Sequence, residues 1–132
     1  MAKKQLPKPT EAELEILQII WGLGPSTVKS VNQIICKTKE VGYTTTLKLM
    51  QIMFDKGLVN RIRDGKTHIY ESAISQEKTQ RQLLDKFVEA AYQGSAMNLV
   101  MQLLGNRKSS KKELDQIRDY LDKFESDQKK GS

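Results

Sequence analysis

The stretch Tyr43–Gly57, YTTTLKLMQIMFDKG, constrains this chain most, because it reads as one helix with two faces of opposite character. At about 100° per residue, Leu49, Met50, Met53 and Phe54 crowd one side, with Leu47 and Thr46 on its borders. That side must face a core. The opposite side collects Thr44, Lys48, Gln51 and Asp55, flanked by Thr45 and Ile52. Its leading half offers two hydroxyls, an amide and a cation without an early carboxylate, and such a face can sit against phosphates and base edges. Any amphipathic helix with a solvated outer face shows the same periodicity, so the neighbouring segments decide between the two readings.

Upstream, Thr10 opens a first helix. Glu13 three residues on completes a T-x-x-E capping box, and acidic residues at 11, 13 and 15 suit the positive end of the helix dipole. Leu14, Leu17, Ile20 and Trp21 form its expected inner stripe, widened by Ile16 and Ile19, until Gly22 and Gly24-Pro25 break it. Ser26 or Thr27 caps a short second helix with Val28, Val31, Ile34 and Ile35 inward, ending near Thr38. Cys36 reads as a small apolar residue on that helix. The connection through Gly42 then enters the helix described first, which gives the order of a helix-turn-helix.

Downstream, Gly57 sits where a helix end wants a left-handed residue, with Lys56 in the last turn. LVNRIR and THIYE are rich in β-branched and aromatic residues and are joined by Asp64-Gly65-Lys66, a strong hairpin signal. A lone two-stranded hairpin is marginal, so it must rest on the helices through Leu58, Ile62 or Val59, and Tyr70. Arg61, Arg63 and Lys66 cluster about its tip. Three helices followed by a hairpin with a basic tip make a winged helix-turn-helix, in which the third helix enters the major groove of double-stranded DNA and the wing reaches the neighbouring backbone. The expected DNA-binding residues are Thr44, Thr45, Lys48 and Gln51 on the helix, with Gln51 suited to adenine, and Arg61, Arg63 and Lys66 on the wing as phosphate contacts. Asp55 is expected to point away from the DNA.

From Ser75 the character is helical only. Leu83, Leu84, Phe87, Val88, Ala91 and Tyr92 follow a 3-4 spacing; Leu99, Val100, Leu103 and Leu104 make a second patch. Ser110 and Glu113 form another capping box, ahead of Leu114, Ile117, Leu121 and Phe124. Short helices of this total length enclose little core alone. Pairing with a second copy is the economical solution, with Leu84, Phe87, Val88, Ala91, Leu99, Leu103, Leu114, Ile117, Leu121 and Phe124 as the homodimer surface; packing back on the N-terminal domain is the alternative. The expected organisation is a flexible basic arm at 1–9, a winged-helix domain at 10–73, a helical dimerisation region at 74–128 and a disordered tail at 129–132: mainly α with a small β-hairpin.

Charge agrees with a polyanionic partner. The chain carries 22 Lys and Arg against 16 Asp and Glu, and the excess leans forward, with eleven against seven in residues 1–72. No signal peptide and no run of about 18 apolar residues is present, so no membrane insertion and a cytoplasmic location are expected. Cys36 is the only cysteine and His68 the only histidine of the 132 residues, which excludes an internal disulfide and a metal site built from several such ligands. No cofactor is called for. An enzyme is the first rival class, and no phosphate loop, nucleophile elbow or Ser-His-Asp set supports it. The stronger rival is a winged-helix adaptor that binds protein through its third helix and shows no salt-dependent DNA binding.

Residues 10–72 resemble the DNA-binding domain of the penicillinase repressor family, the bacterial repressors of β-lactamase and methicillin-resistance genes. The resemblance is carried by TEAELEILQIIW from Thr10 to Trp21, TTLKLMQIMFDKG from Thr45 to Gly57 and the hairpin ending in Tyr70. The tail resembles the family's dimerisation region in pattern. The resemblance implies a homodimer that binds a palindromic operator and represses transcription. Where the family usually has Val, Thr and often Arg in the recognition helix, this chain has Thr46, Lys48 and Ile52, so its operator should differ from those of the best-known members. Those members are inactivated through a membrane sensor protease and cleavage of an Asn-Phe bond; the corresponding place here reads Gln102-Leu103, the expected cleavage region. Copper-responsive relatives carry a C-terminal cysteine cluster that this tail lacks.

Overall fold

The first helix begins where its sequence signals place it. In the computed structural model, which describes residues 8–106 and 109–130, Thr10 Oγ1 accepts the backbone N–H of Glu13 at 3.2 Å while Thr10 N–H donates to the Glu13 carboxylate at 2.9 Å. Both halves of the capping box are made, and α1 runs Glu11–Leu23. Its buried residues are Glu13, Ile16, Leu17 and Ile20, at i, i+3, i+4 and i+7. The expected stripe is therefore rotated: Leu14 and Trp21 are only half-buried, and the charged Glu13 takes an inward position. Gly22 lies inside the helix, and the break comes at Gly24, with φ at +87°.

Thr27 caps α2 (Val28–Ile35), accepting Ser30 N–H at 3.1 Å. Ser26 has a different task. Its N–H and C=O pair with the C=O and N–H of Tyr70 at 2.9 and 2.8 Å, a one-residue third strand beside the hairpin. Cys36 is the exposed C-cap of α2, outside the helix proper, with its Sγ 3.1 Å from the Val41 carbonyl.

Helix α3 spans Tyr43–Lys56 and buries Thr46, Met50 and Met53. Thr46 is fully buried because Asn32 on α2 supplies a partner: its Nδ2 donates to Thr46 Oγ1 at 2.8 Å and to the Val41 carbonyl at 2.9 Å. The two helices of the motif are thus joined by a polar pair inside an apolar contact. Among the described residues no buried side-chain N or O lacks a partner. Gly57 closes α3 at φ +83°, and Leu58 N–H reaches back to Met53 O at 2.9 Å, the double-backed helix end that only a residue tolerant of left-handed backbone permits cheaply.

Strands β1 (Val59–Asp64) and β2 (Thr67–Ser72) pair antiparallel through a Gly65-Lys66 turn, Arg61 opposite Tyr70 and Ile62 opposite Ile69. Leu58, Val59 and Tyr70 are buried at 0–1% exposure, so Val59 takes the inward place and Ile62, half exposed, lies on the outer face with Ile69. Trp21 Nε1 donates to Ser72 Oγ at 2.8 Å and to Ile74 O at 3.3 Å, fixing the end of α1 to the exit of the wing. One core of Ile16, Leu17, Ile20, Val31, Met50, Met53 and the inward wing residues holds the three helices and hairpin together.

The chain divides into two compact units, the second beginning at Asp85, within α4 (Gln76–Tyr92). After Gly94, α5 covers Ala96–Asn106 and α6 covers Lys111–Lys130. Ser110 Oγ accepts Glu113 N–H at 3.0 Å at the start of α6. In the second unit Tyr92 packs edge-on against Phe87 at 5.8 Å, its hydroxyl donating to Gln102 Oε1. Val88, Leu99, Leu114 and Ile117 are half-buried, Ala91 is exposed, and Phe87, Leu103, Leu121 and Phe124 remain 46–57% exposed, as does Leu84 at the end of the first unit. Helix α6 extends past residue 128, and residues 131–132 lie outside those described, as do residues 1–7 of the expected basic arm; Pro9, its last residue, is buried.

Candidate nucleic-acid interface

The outer face of α3 emerges as the helical period requires: Thr44, Thr45, Lys48, Gln51, Ile52 and Asp55 are all exposed, while the residues interleaved with them are buried or half-buried. The first turn carries no acidic residue, so the positive end of the helix dipole and Lys48 present one sign of potential outward.

The wing residues divide by strand alternation. Arg61 and Arg63 share the face of Val59 and Tyr70. The Arg61 guanidinium lies 4.2 Å from the centre of the Phe54 ring, so it stacks on α3 as well as standing exposed. Arg63 Nε donates to Gly65 O at 3.0 Å, tying its charge to the turn where Lys66 projects. Lys56 has another role. Its Nζ is 2.7 Å from the Glu13 carboxylate, which is 97% shielded, and it joins the C-terminal turn of α3 to the first turn of α1. Burial pushes the Glu13 carboxyl upward, but the hydrogen bonds from Lys56 and Thr10 and the Lys56 charge outweigh it and hold the group below its ordinary value.

Between the start of α2, the start of α3 and β2 lies an open cleft of about 570 Å³. Its rim includes Lys29, Tyr43, Lys66 and His68, and its inner wall includes Val28, Leu47 and Tyr70. Lys29, Tyr43 and His68 carry no local signal for this role; they come from three separated segments, which the Asn32 hydrogen bonds between α2 and the start of α3 and the Ser26–Tyr70 pairing between the start of α2 and β2 bring together. Among the described residues no group of three or more His, Cys, Asp and Glu is placed to hold a metal ion, and no helix is long and apolar enough to cross a membrane.

Residues 9–123 match the penicillinase repressor family. The penicillinase repressor of Staphylococcus aureus is 27% identical over 121 residues, covering 92% of this chain and 95% of that protein. The methicillin resistance regulatory protein MecI of Staphylococcus aureus strain N315 is 24% identical over 114 residues, 86% of this chain and 93% of that one. In three dimensions the DNA-binding domain of the repressor BlaI superposes with a TM-score of 0.50 at 24% identity, over 56% of this chain and 90% of that one, which shows the winged-helix fold. The family is one of repressors and not of enzymes. With a match that spans the helix-turn-helix, the wing and most of the helical tail, this chain belongs to the penicillinase repressor family.

Proposed function

We propose that the protein is a transcriptional repressor that binds a palindromic operator as a homodimer, one winged-helix unit on each half-site. The observation that carries this reading is the outer face of α3, where Thr44, Thr45, Lys48 and Gln51 stand exposed on a helix whose other side is locked into the core. Thr44 and Thr45 meet phosphate or base edges near the helix start, Lys48 donates to purine acceptors, and Gln51 reads adenine with both the C=O and the NH2 of its amide. Arg63 and Lys66 hold the backbone beside the wing, and Arg61 does so from its seat on Phe54.

Dimerisation through the tail is supported by its apolar exposure. Phe87, Leu103, Leu121 and Phe124, with Leu84, Val88, Ala91, Leu99, Leu114 and Ile117, form more apolar surface than short helices cover among themselves. Regulation by proteolysis at Gln102-Leu103 is part of the same reading. That bond lies within α5, and cutting it separates α6 from the rest of the surface; a protease must first unwind the helix, because a strand-like substrate is needed in the active site of most proteases.

The test is fluorescence anisotropy of the purified chain against the region upstream of its own gene and against a scrambled duplex, each at two salt concentrations. Saturable binding that prefers the upstream duplex and weakens steeply with salt is expected. Equal binding to both, insensitive to salt, would instead support the protein-binding adaptor.

A further inference from the structure

We propose that the cleft between α2, α3 and the wing is a separate backbone-binding site, taking one deoxyribose-phosphate of the duplex that α3 faces. This deepens the operator-binding reading and rests on it. Lys29 from the first turn of α2, Tyr43 from the first residue of α3, and Lys66 and His68 from the wing all border the same opening. Each can donate a hydrogen bond to a phosphate oxygen, and none of the described lining residues is acidic. The Thr27 hydroxyl is already engaged with Ser30 and adds nothing to the count.

The inner wall suits the rest of a nucleotide backbone. Leu47 is half-buried and, backed by the nearly fully buried Val28 and Tyr70, offers an apolar edge to the carbon atoms of a sugar. Position points to the same occupant. Tyr43 immediately precedes Thr44 on α3, so a strand whose bases meet the α3 face runs its backbone past this opening. The site is also pre-formed: the paired hydrogen bonds between Ser26 and Tyr70 fix the residues leading to Lys29 against those leading back to His68. A phosphate entering it need not order the protein first. Lys29, Tyr43 and His68 therefore extend the contact beyond the α3 face and the wing tip.

Backbone contacts carry no sequence information, which makes the inference separable from operator choice. Lys29→Ala should weaken binding to the upstream and the scrambled duplex alike and lower the slope of log K against log salt by about one. Tyr43→Phe should weaken both duplexes several-fold with its slope unchanged, and thermal unfolding by circular dichroism verifies that each variant is folded. A scan of single neutral methylphosphonates along the duplex should find one position that weakens the parent protein and leaves Lys29→Ala unaffected. If Lys29→Ala and Tyr43→Phe bind both duplexes as the parent does while Lys48→Ala loses operator preference, the cleft assignment is overturned and the operator reading stands. If the parent itself shows no salt-dependent binding to either duplex, both fall together.

Discussion

Asn32 is the residue whose removal tests most directly how the helix-turn-helix is held. Its side-chain Nδ2 donates two hydrogen bonds, to Thr46 Oγ1 at 2.8 Å and to the Val41 carbonyl at 2.9 Å, and Thr46 is fully shielded from water. In Asn32→Ala the Val41 carbonyl, on a half-buried residue, can turn to water, whereas the Thr46 oxygen loses its donor with no water to replace it. Each net hydrogen bond is worth about 1 kcal/mol and an orphaned buried partner about 1–3 kcal/mol, so a loss of roughly 2 kcal/mol is expected. For a unit of this size that is a fall in Tm of the order of 10 °C. Thr46→Val keeps the volume and removes the oxygen, so the double variant should cost about 1 kcal/mol less than the sum of the singles. Urea unfolding of the full chain, followed by circular dichroism, measures all four corners of the cycle. Strict additivity, within about 0.3 kcal/mol, would refute the coupling between Asn32 and Thr46.

The ion pair of buried Glu13 with the exposed Lys56 predicts a pH dependence. Because the Glu13 carboxyl is held below its ordinary value of 4.5 in the folded chain, its contribution is complete above that pH and is lost as pH falls through the lower native value. The urea midpoint of the parent should therefore drop more steeply below about pH 5 than that of Glu13→Gln, and parallel curves would remove Glu13 as the cause. Lys48→Ala should cut the preference for the operator over a scrambled duplex, read by anisotropy at fixed salt, while leaving non-specific affinity nearly intact. Arg63→Ala and Lys66→Ala should weaken binding to every duplex and lower the salt slope by about one each; an unchanged slope in both would take the wing off the DNA. Leu121→Asp places a charge in the proposed subunit interface, so sedimentation should show monomer, and a variant still sedimenting as dimer locates the interface elsewhere.

The first seventy residues were legible because their signals are local. A capping box, a left-handed glycine after a lysine, an Asp-Gly turn and a 3.6-residue period each depend on neighbours within one or two turns, and α1, α3 and the hairpin stand where those signals put them. The misreadings came from pairs distant in sequence. Glu13 looked like a capping residue and nothing more, since its inward position depends on Lys56, forty-three residues on. Thr46 looked like a border residue because its burial needs Asn32 from the preceding helix. Ser26 has the residue type and place of a helix cap, and its pairing with Tyr70 is a strand contact made by a single residue, too short to leave a pattern. Ile62 and Val59 were equivalent in hydrophobicity, and the register of the hairpin chose between them. The cleft residues were illegible for the same reason: the opening exists only once that register and the Ser26 pairing are set.

Between the last turn of α3 and the first residue of β1 there are only Gly57 and Leu58, and both are fixed, one by its left-handed backbone and the other by full burial and a hydrogen bond to Met53. Helix and wing therefore meet a duplex as one stiff body, the way a die meets a coin blank, with its relief cut beforehand. Little chain entropy is left to lose on arrival, so encounter should be governed by diffusion and by the pull of charge, with no slow rearrangement after first touch. The heat-capacity change on binding should accordingly be no larger than the contact area itself accounts for, without the added amount that accompanies folding on the DNA.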